Sequence, residues 1–401
     1  MSSPGAAERY ALYREALRRH HLPCAFVDVE LFLRNVRDVA ARAGGRPIRV
    51  ASKSVRSVGL LRRVFEADPA YRGVMAYSAA EAVYLAECGF DDLLVAYPVT
   101  DAEELEAVAR AVAGGRRITL TVDSLAHVER LEALAAGVDV RLALCLDVDM
   151  SSAFPGLHFG VRRSPVGGVA AALEVARAIA RSSHLRLEGV LGYEAQIAGV
   201  RDAVPGQALK SAVVRWLKRR SKPEVHERRQ AVVEALRREG IALRFVNGGG
   251  TGSLETTRDD PSVTELAAGS GFYSPALFDS YRGFRHLPAA GFALAITRCP
   301  APGIFTCHGG GYVASGAAGR DKLPLPYLPQ GARLLDNEGA GEVQTPVAYG
   351  GPERLAVGDP IFFRHAKAGE LCERFATLAL LCDGRVTDEV TTYRGDGRCF
   401  L

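Results

Sequence analysis

The sequence predicts an α/β protein: an N-terminal TIM (β/α)8 barrel followed by a C-terminal, mostly β domain. Three observations carry this. The 401 residues are too many for one small core and suit a barrel plus a second domain. Between residues 48 and 267, short continuous apolar runs alternate with amphipathic helical stretches. From about residue 271 glycine and proline become frequent and helical periodicity fades.

Taken in order, residues 5–20 read as a surface helix that Pro23 ends, before a short strand at 24–28 and a helical stretch at 31–43. Strand candidates follow at 48–52, 73–77, 93–97, 118–122, 140–148, 187–193, 243–247 and 263–267, with helical patterns such as 79–88 and 166–181 between them. Uninterrupted apolar strands suit a parallel sheet buried on both faces. Eight such strand–helix units favour a closed barrel over an open doubly wound sheet. Later strand-like runs at 292–299, 361–364, 376–382 and 386–393 read as the second domain. The strand at 24–28 precedes the barrel and is expected to join that domain. The expected division is a helix at 1–22, a joining strand at 23–30, the barrel at 31–271 and the β domain at 272–401.

Composition narrows the function. Hydrophobic residues make up 48% and charged residues 24%, the profile of a soluble globular protein. The net charge of +4 is spread along the chain. The densest basic run, Arg215, Lys218, Arg219, Arg220 and Lys222 around Trp216 and Leu217, is followed by Glu224 and Glu227. It reads as a solvated helix face, so nucleic acid is not an expected partner. No run approaches the roughly 18 apolar residues of a membrane span, and no signal-peptide pattern opens the chain. Eight scattered cysteines without a CxxC pair suit reduced thiols, so the cytoplasm is the expected compartment.

Barrel active sites form at the C-terminal ends of the strands, so each strand end is a candidate. The first ends in Ala51-Ser52-Lys53-Ser54. A lysine at the mouth can be partly desolvated, as a Schiff-base amine requires, because only the neutral amine attacks a carbonyl. An exposed lysine after a strand fits the position equally well. The seventh strand ends in Asn247-Gly248-Gly249-Gly250-Thr251-Gly252-Ser253. Glycine lets backbone N–H groups approach an anion, and the Thr251 and Ser253 hydroxyls add donors, so a phosphate is favoured over a merely flexible loop. The eighth strand ends in a similar small-residue turn, Ala268 to Tyr273. Tyr193, ending the sixth strand, can contact an aromatic cofactor or simply pack on the rim. Arg162 can pair with an anionic group or be an ordinary surface arginine. In the second domain, His365, Glu370 and Cys372 offer imidazole, carboxylate and thiolate ligands for zinc or a similar ion. Their spacing is not a standard one, and on the residues alone an incidental loop is the better reading.

The strings PCAFVDVELFLRNV, VASKSV, LLVAYPV, VNGGGTGS and ELAAGSGFYSPALFD, in this order and spacing, resemble the D-threonine aldolase and D-serine dehydratase group of fold-type III, alanine-racemase-like pyridoxal-phosphate enzymes. The likeness runs from about Cys24 to the C-terminus and looks closest to the amino acid deaminase/aldolase branch. It implies that Lys53 carries pyridoxal 5'-phosphate as a Schiff base, with phosphate contacts from Gly249, Gly250, Thr251 and Tyr273. Tyr193 resembles the tyrosine near the pyridine nitrogen. A neutral partner there makes the ring a weaker electron sink, so help from a metal makes chemical sense. The family's metal motif is a histidine with a cysteine or aspartate two residues later. Here that place holds Lys367, and a five-residue insertion would restore the match at Cys372. His365 and Cys372, with Glu370 in reserve, are therefore the expected ligands of a divalent metal (zinc, manganese or magnesium). The loop CHGGGYVASG after Thr306 departs from the acidic version expected, which leaves substrate choice open.

The function implied is a lyase acting on β-hydroxy amino acids of D configuration. It would work by aldol cleavage or by dehydration, with Arg162 and His308 as the expected substrate residues, Arg162 holding the substrate carboxylate, and a homodimer as the expected assembly. Two rivals stand beside it. An amino acid racemase needs a second base opposite Lys53, for which Cys307 or His308 is available across a dimer interface. A non-catalytic pyridoxal-phosphate carrier is usually a barrel alone, and the second domain argues against it.

Overall fold

The computed structural model describes residues 5–317 and 319–401; the first four residues of the 1–22 segment lie outside the described residues. Helix α1 (Ala6–Ala16) precedes strand β1 (Cys24–Asp28) and helix α2 (Val29–Arg42). The Asp28 side chain accepts the Leu31 amide at 3.0 Å and so caps α2. Eight strands then appear where the apolar runs placed them: β2 (Ile48–Ala51), β3 (Tyr71–Ala76), β4 (Leu93–Val95), β5 (Ile118–Val122), β6 (Leu142–Asp147), β9 (Leu185–Gly192), β10 (Phe245–Gly248) and β11 (Glu265–Ala268). A small hairpin, β7 (Ser152–Phe154) with β8 (Leu157–Phe159), is inserted after β6. The eight close into a parallel barrel in the order β10-β11-β2-β3-β4-β5-β6-β9, as the sequence predicted.

Burial explains why these segments are strands. β5 and β6 are buried at every position, which continuous apolar sequence permits and an alternating pattern would not. Inside the barrel, Leu94, Ala96, Cys145, Leu191 and Phe245 form one packed cluster. Gly189 is required there, since a Cβ on it would lie 2.2 Å from the Phe245 ring.

The second unit is a nine-stranded sheet of β1 with β12 (Ala290–Ala301), β13 (Ile304–His308), β14 (Leu325–Leu328), β15 (Arg333–Leu334), β16 (Gln344–Ala348), β17 (Pro360–Arg364), β18 (Thr377–Cys382) and β19 (Arg385–Thr391). β1 lies between β12, to which it is antiparallel, and β18, to which it is parallel. The sequence did not announce β13, β14 or β16. The last two contain Pro326 and Pro346, residues that demote a strand pattern. Among the described residues no helix is long and apolar enough to cross a membrane.

One loop of this sheet matters for the site. After β17, residues 365–370 run over the barrel mouth and are tied to the segment that follows β11. The amides of Ala276 and Leu277 donate to the carbonyls of His365 (3.0 Å) and Ala366 (3.2 Å). Arg364 also clamps Asp279 with two hydrogen bonds, at 2.6 and 2.9 Å.

Candidate active site

A cavity of about 670 Å³ opens at the C-terminal ends of the barrel strands, roofed by the 365–370 loop. Lys53 stands on a single 3-10 turn (Ser52–Ser54) directly after β2, anchored where Ser52 Oγ donates to the Met75 carbonyl at 2.9 Å. Its Nζ donates to the Tyr97 hydroxyl at 3.2 Å. Burial alone would raise the Tyr97 phenol; the charge and hydrogen bond of Lys53, with Arg163 beyond, bring it below its ordinary value.

The turn after β10 is built from beneath by a buried carboxylate. Glu194 accepts from Arg229 Nη2 at 2.8 Å, Ser253 Oγ at 2.7 Å and the Gly249 amide at 3.3 Å. Arg229 is itself fully buried and also pairs with Asp260. The Gly249 amide is therefore committed inward, and the Gly250 amide donates to Ser253 Oγ at 3.1 Å. The amides of these two expected phosphate contacts are thus already hydrogen-bonded within the protein. The amides of Thr251, Gly252 and Ser270 donate to no protein group among the described residues, and all three residues line the cavity. Gly252 must be glycine, because a Cβ would sit 2.2 Å from the Ala198 carbonyl. Thr251 Oγ1 accepts from Ser270 Oγ and the Gly271 amide, both at 3.1 Å, which locks the two turns together.

Tyr193 lines the same cavity, its ring against Gly250, and burial pushes its phenol up to about 12. Arg163 stacks near the rings of Tyr97 and Tyr193, with its carbon at 4.9 and 6.0 Å from their centroids. Its guanidinium is fixed by Asp147 at 2.6 Å and the Ala96 carbonyl at 2.7 Å. Burial lifts Asp147 to about 6 against the pull of Arg163.

Other expected site residues fall elsewhere. Tyr273, expected at the phosphate, is fully buried outside the cavity lining, its hydroxyl donating to the Val55 carbonyl at 2.7 Å, so it supports the Lys53 turn from behind. Arg162 is exposed and outside the cavity lining; its neighbour Arg163 points in. His308 is exposed at the end of β13 and Cys307 is buried in the sheet, so neither faces Lys53 within this chain.

The metal expectation fares worse. His365 is buried with neither ring nitrogen hydrogen-bonded, and burial followed by the Arg364 charge holds its imidazole down at about 3. Cys372 is also buried, its thiol donating to the Val55 carbonyl at 3.3 Å and lying 3.8 Å from the Tyr273 hydroxyl. Both residues pack on Tyr273, but no third ligand joins them. Among the described residues no group of three or more His, Cys, Asp or Glu side chains is arranged to hold a metal ion. Four ligands, or three and a water, are the usual requirement, so these residues do not fit the expected centre. Pyridoxal phosphate does fit: one cavity presents an amine on a rigid turn, a cradle of uncommitted amides and two phenols.

Sequence reasoning missed Arg163, Lys367, Gly369 and Glu194. The Arg162-Arg163 pair was the only visible signal, and the hairpin before it decides which arginine turns inward. Gly369 has φ +83, and a Cβ on it would lie 1.9 Å from the Lys53 carbonyl, so the roof loop rests directly on the Lys53 turn.

Comparisons with known proteins agree with this fold. The 3-hydroxy-D-aspartate aldolase of Paracoccus denitrificans (strain Pd 1222) is 27% identical over 250 residues, which are 62% of this chain and 59% of that protein. The matched region thus spans about three-fifths of that relative's length. D-threonine aldolase from Filomicrobium marinum superposes with a TM-score of 0.78 at 19% identity, covering 94% of this chain and 95% of that one. D-threo-3-hydroxyaspartate dehydratase from Delftia sp. HT23 gives 0.73 at 19% identity, covering 94% and 98%. The family model for the alanine racemase N-terminal domain matches residues 27–275, the barrel together with its Lys53 turn and glycine-rich turn, and the chain belongs to that family.

Proposed function

We propose that the protein is a pyridoxal-phosphate-dependent lyase acting on β-hydroxy amino acids of D configuration, by aldol cleavage or by dehydration. The observation that carries this reading is the convergence of the Lys53 amine and the Thr251, Gly252 and Ser270 amides on one cavity. The names of the relatives, two aldolases and a dehydratase of β-hydroxy amino acids, support the reaction class.

In this reading Lys53 Nζ holds the cofactor and the three amides hold its phosphate. Tyr193, whose burial keeps its phenol neutral, is the partner on the ring side. When bound, the cofactor supplies an electron sink for negative charge at the substrate Cα. Lys53 Nζ takes the Cα proton in dehydration, and Tyr97 orients that amine through its hydroxyl. A homodimer belongs to the same reading and is checked by sedimentation. The racemase alternative has less support because the alanine racemase of Clostridium difficile 630 superposes less well, with a TM-score of 0.63.

The test is incubation of the purified protein with D-threonine, D-serine and D-alanine, with and without chelator. Aldehyde plus glycine, or keto acid plus ammonia, is expected. Racemisation of D-alanine without lyase products would overturn the reading.

A further inference from the structure

Four strongly basic side chains line the cavity: Lys53, Arg56, Arg163 and Lys367. Two already hold carboxylates. Arg56 pairs with Glu373 and also donates to the Lys53 carbonyl, while Arg163 pairs with Asp147. Lys53 is assigned to the cofactor. Lys367 alone remains, its Nζ donating only to Ser315, to the carbonyl at 3.2 Å and the hydroxyl at 3.1 Å. These contacts aim the amine without neutralising it, and among the described residues Lys367 has no ion pair. An amino acid substrate brings a carboxylate that must leave bulk water, and such a group needs a cation or several donors. Arg162, the sequence-level candidate for this task, is outside the cavity.

A second charge is built into the same wall. Glu370 lines the cavity, its Oε1 accepting the Ser315 amide at 3.0 Å. Its Oε2 is buried and has no hydrogen-bond partner. Ser315 thus carries the lysine on one side and the carboxylate on the other. The loop is held in place by Gly369, whose close approach to the Lys53 carbonyl fixes where both side chains stand.

We propose that Lys367 binds the substrate carboxylate and that Glu370 beside it repels a second one, so that the site takes β-hydroxy amino acids bearing a single carboxylate. This rests on the lyase reading and sharpens it. A dicarboxylic substrate such as 3-hydroxyaspartate would bring one negative charge more than the cavity has free cations, next to an unpartnered carboxylate oxygen. Like charges in a partly desolvated site are strongly disfavoured.

The experiment measures binding of D-alanine and D-aspartate to the holoenzyme by calorimetry, since neither carries a β-hydroxyl to eliminate. D-alanine is expected to bind at least ~10-fold more tightly than D-aspartate. Lys367→Met should weaken D-alanine binding by roughly 10-fold or more, and raise KM for D-serine more than it lowers kcat, with the cofactor absorbance unchanged. Lys367→Arg should restore most of the loss, and Glu370→Gln should narrow the gap between the two ligands. Equal or tighter binding of D-aspartate, unaltered binding in Lys367→Met, or loss of cofactor from that variant would each overturn the proposal. Borohydride reduction separates the two readings. Failure to fix a cofactor on Lys53 of the unaltered protein defeats the lyase itself, whereas a fixed cofactor with an indifferent Lys367→Met defeats only this assignment.

Discussion

Both ends of the barrel carry a hollow lined by basic side chains, about 580 Å³ at the floor and about 670 Å³ at the mouth. They treat their cations differently. At the floor, Arg49 is fully buried and donates to Glu265 at 2.7 Å and to Asp92. Arg244 bridges Asp92 and Glu188, each at 2.8 Å, and Thr119 donates to Glu188 at 2.7 Å. The remaining floor arginines, Arg117, Arg141 and Arg186, are exposed to water, with Arg186 also reaching Glu188 at 3.3 Å. At the mouth, Lys53 and Lys367 face the cavity with hydroxyl and carbonyl partners but no carboxylate. A charge taken from water costs free energy unless it is paired. Pairing at the floor secures the barrel; at the mouth Arg56 and Arg163 are paired as well, but the two lysines carry no carboxylate and their charge stays available to a ligand.

The contrast makes graded predictions. Lys53→Ala should abolish covalent cofactor binding and lower turnover by at least ~10³-fold while leaving the denaturation midpoint nearly unchanged, because no paired charge is broken. Absorbance, borohydride reduction and thermal melts check this together. At the floor the outcome should invert. Glu265→Gln leaves the Arg49 guanidinium short of its main partner, and a loss of about 3–5 kcal/mol is expected in denaturant unfolding, with cofactor binding retained. A floor variant that lost the cofactor at unchanged stability would break the comparison.

Glu81 shows a third treatment of buried charge. It is fully buried near the mouth, accepting from the Tyr77 amide at 2.7 Å and the Tyr393 hydroxyl at 2.9 Å, and burial raises its carboxyl from 4.5 to about 7. The folded protein therefore holds a proton that the unfolded chain releases between pH 4.5 and about 7. The Glu81 contribution to stability should fall as pH rises through that window, by roughly 3 kcal/mol in all, and it is read as the difference between the unaltered protein and Glu81→Gln because Asp147 adds to the fall and His365 opposes it. Glu81→Gln should remove this dependence; equal slopes for both proteins in unfolding measured from pH 5 to 8 would refute it. The smallest expected effect is that of Gly369→Ala, which combines a left-handed φ with a collision on the Lys53 carbonyl. It should cost about 1–3 kcal/mol of stability and disturb turnover more than folding, which unfolding and steady-state assays compare directly.

Much of the fold was legible because a parallel barrel strand is buried on both faces and so writes itself as an unbroken apolar run; 118–122 coincides with β5 to the residue. The second sheet was harder, since its proline-bearing strands are stabilised by neighbours distant in the chain. In the site, Lys53 and the glycine-rich turn were visible because each is a local signal at a strand end. The direction of Tyr273 was not legible, because a place next to the Ser270 turn does not say which way a side chain points, and here it turns into the core.

His365 and Cys372 misled for a related reason. Their residue types promised a metal, and only packing shows both buried against Tyr273 without a third ligand. The sequence by itself determined the barrel, the Lys53 amine and the glycine-rich turn at their strand ends, because strand periodicity and backbone freedom act over a few residues. The tertiary structure alone decided which amides stay uncommitted, which arginines are already paired and that Lys367 is not. Those are properties of charge and hydrogen bonding between segments some 50 to 320 residues apart, such as Lys367 with Ser315 or Arg56 with Glu373, and no local pattern records them.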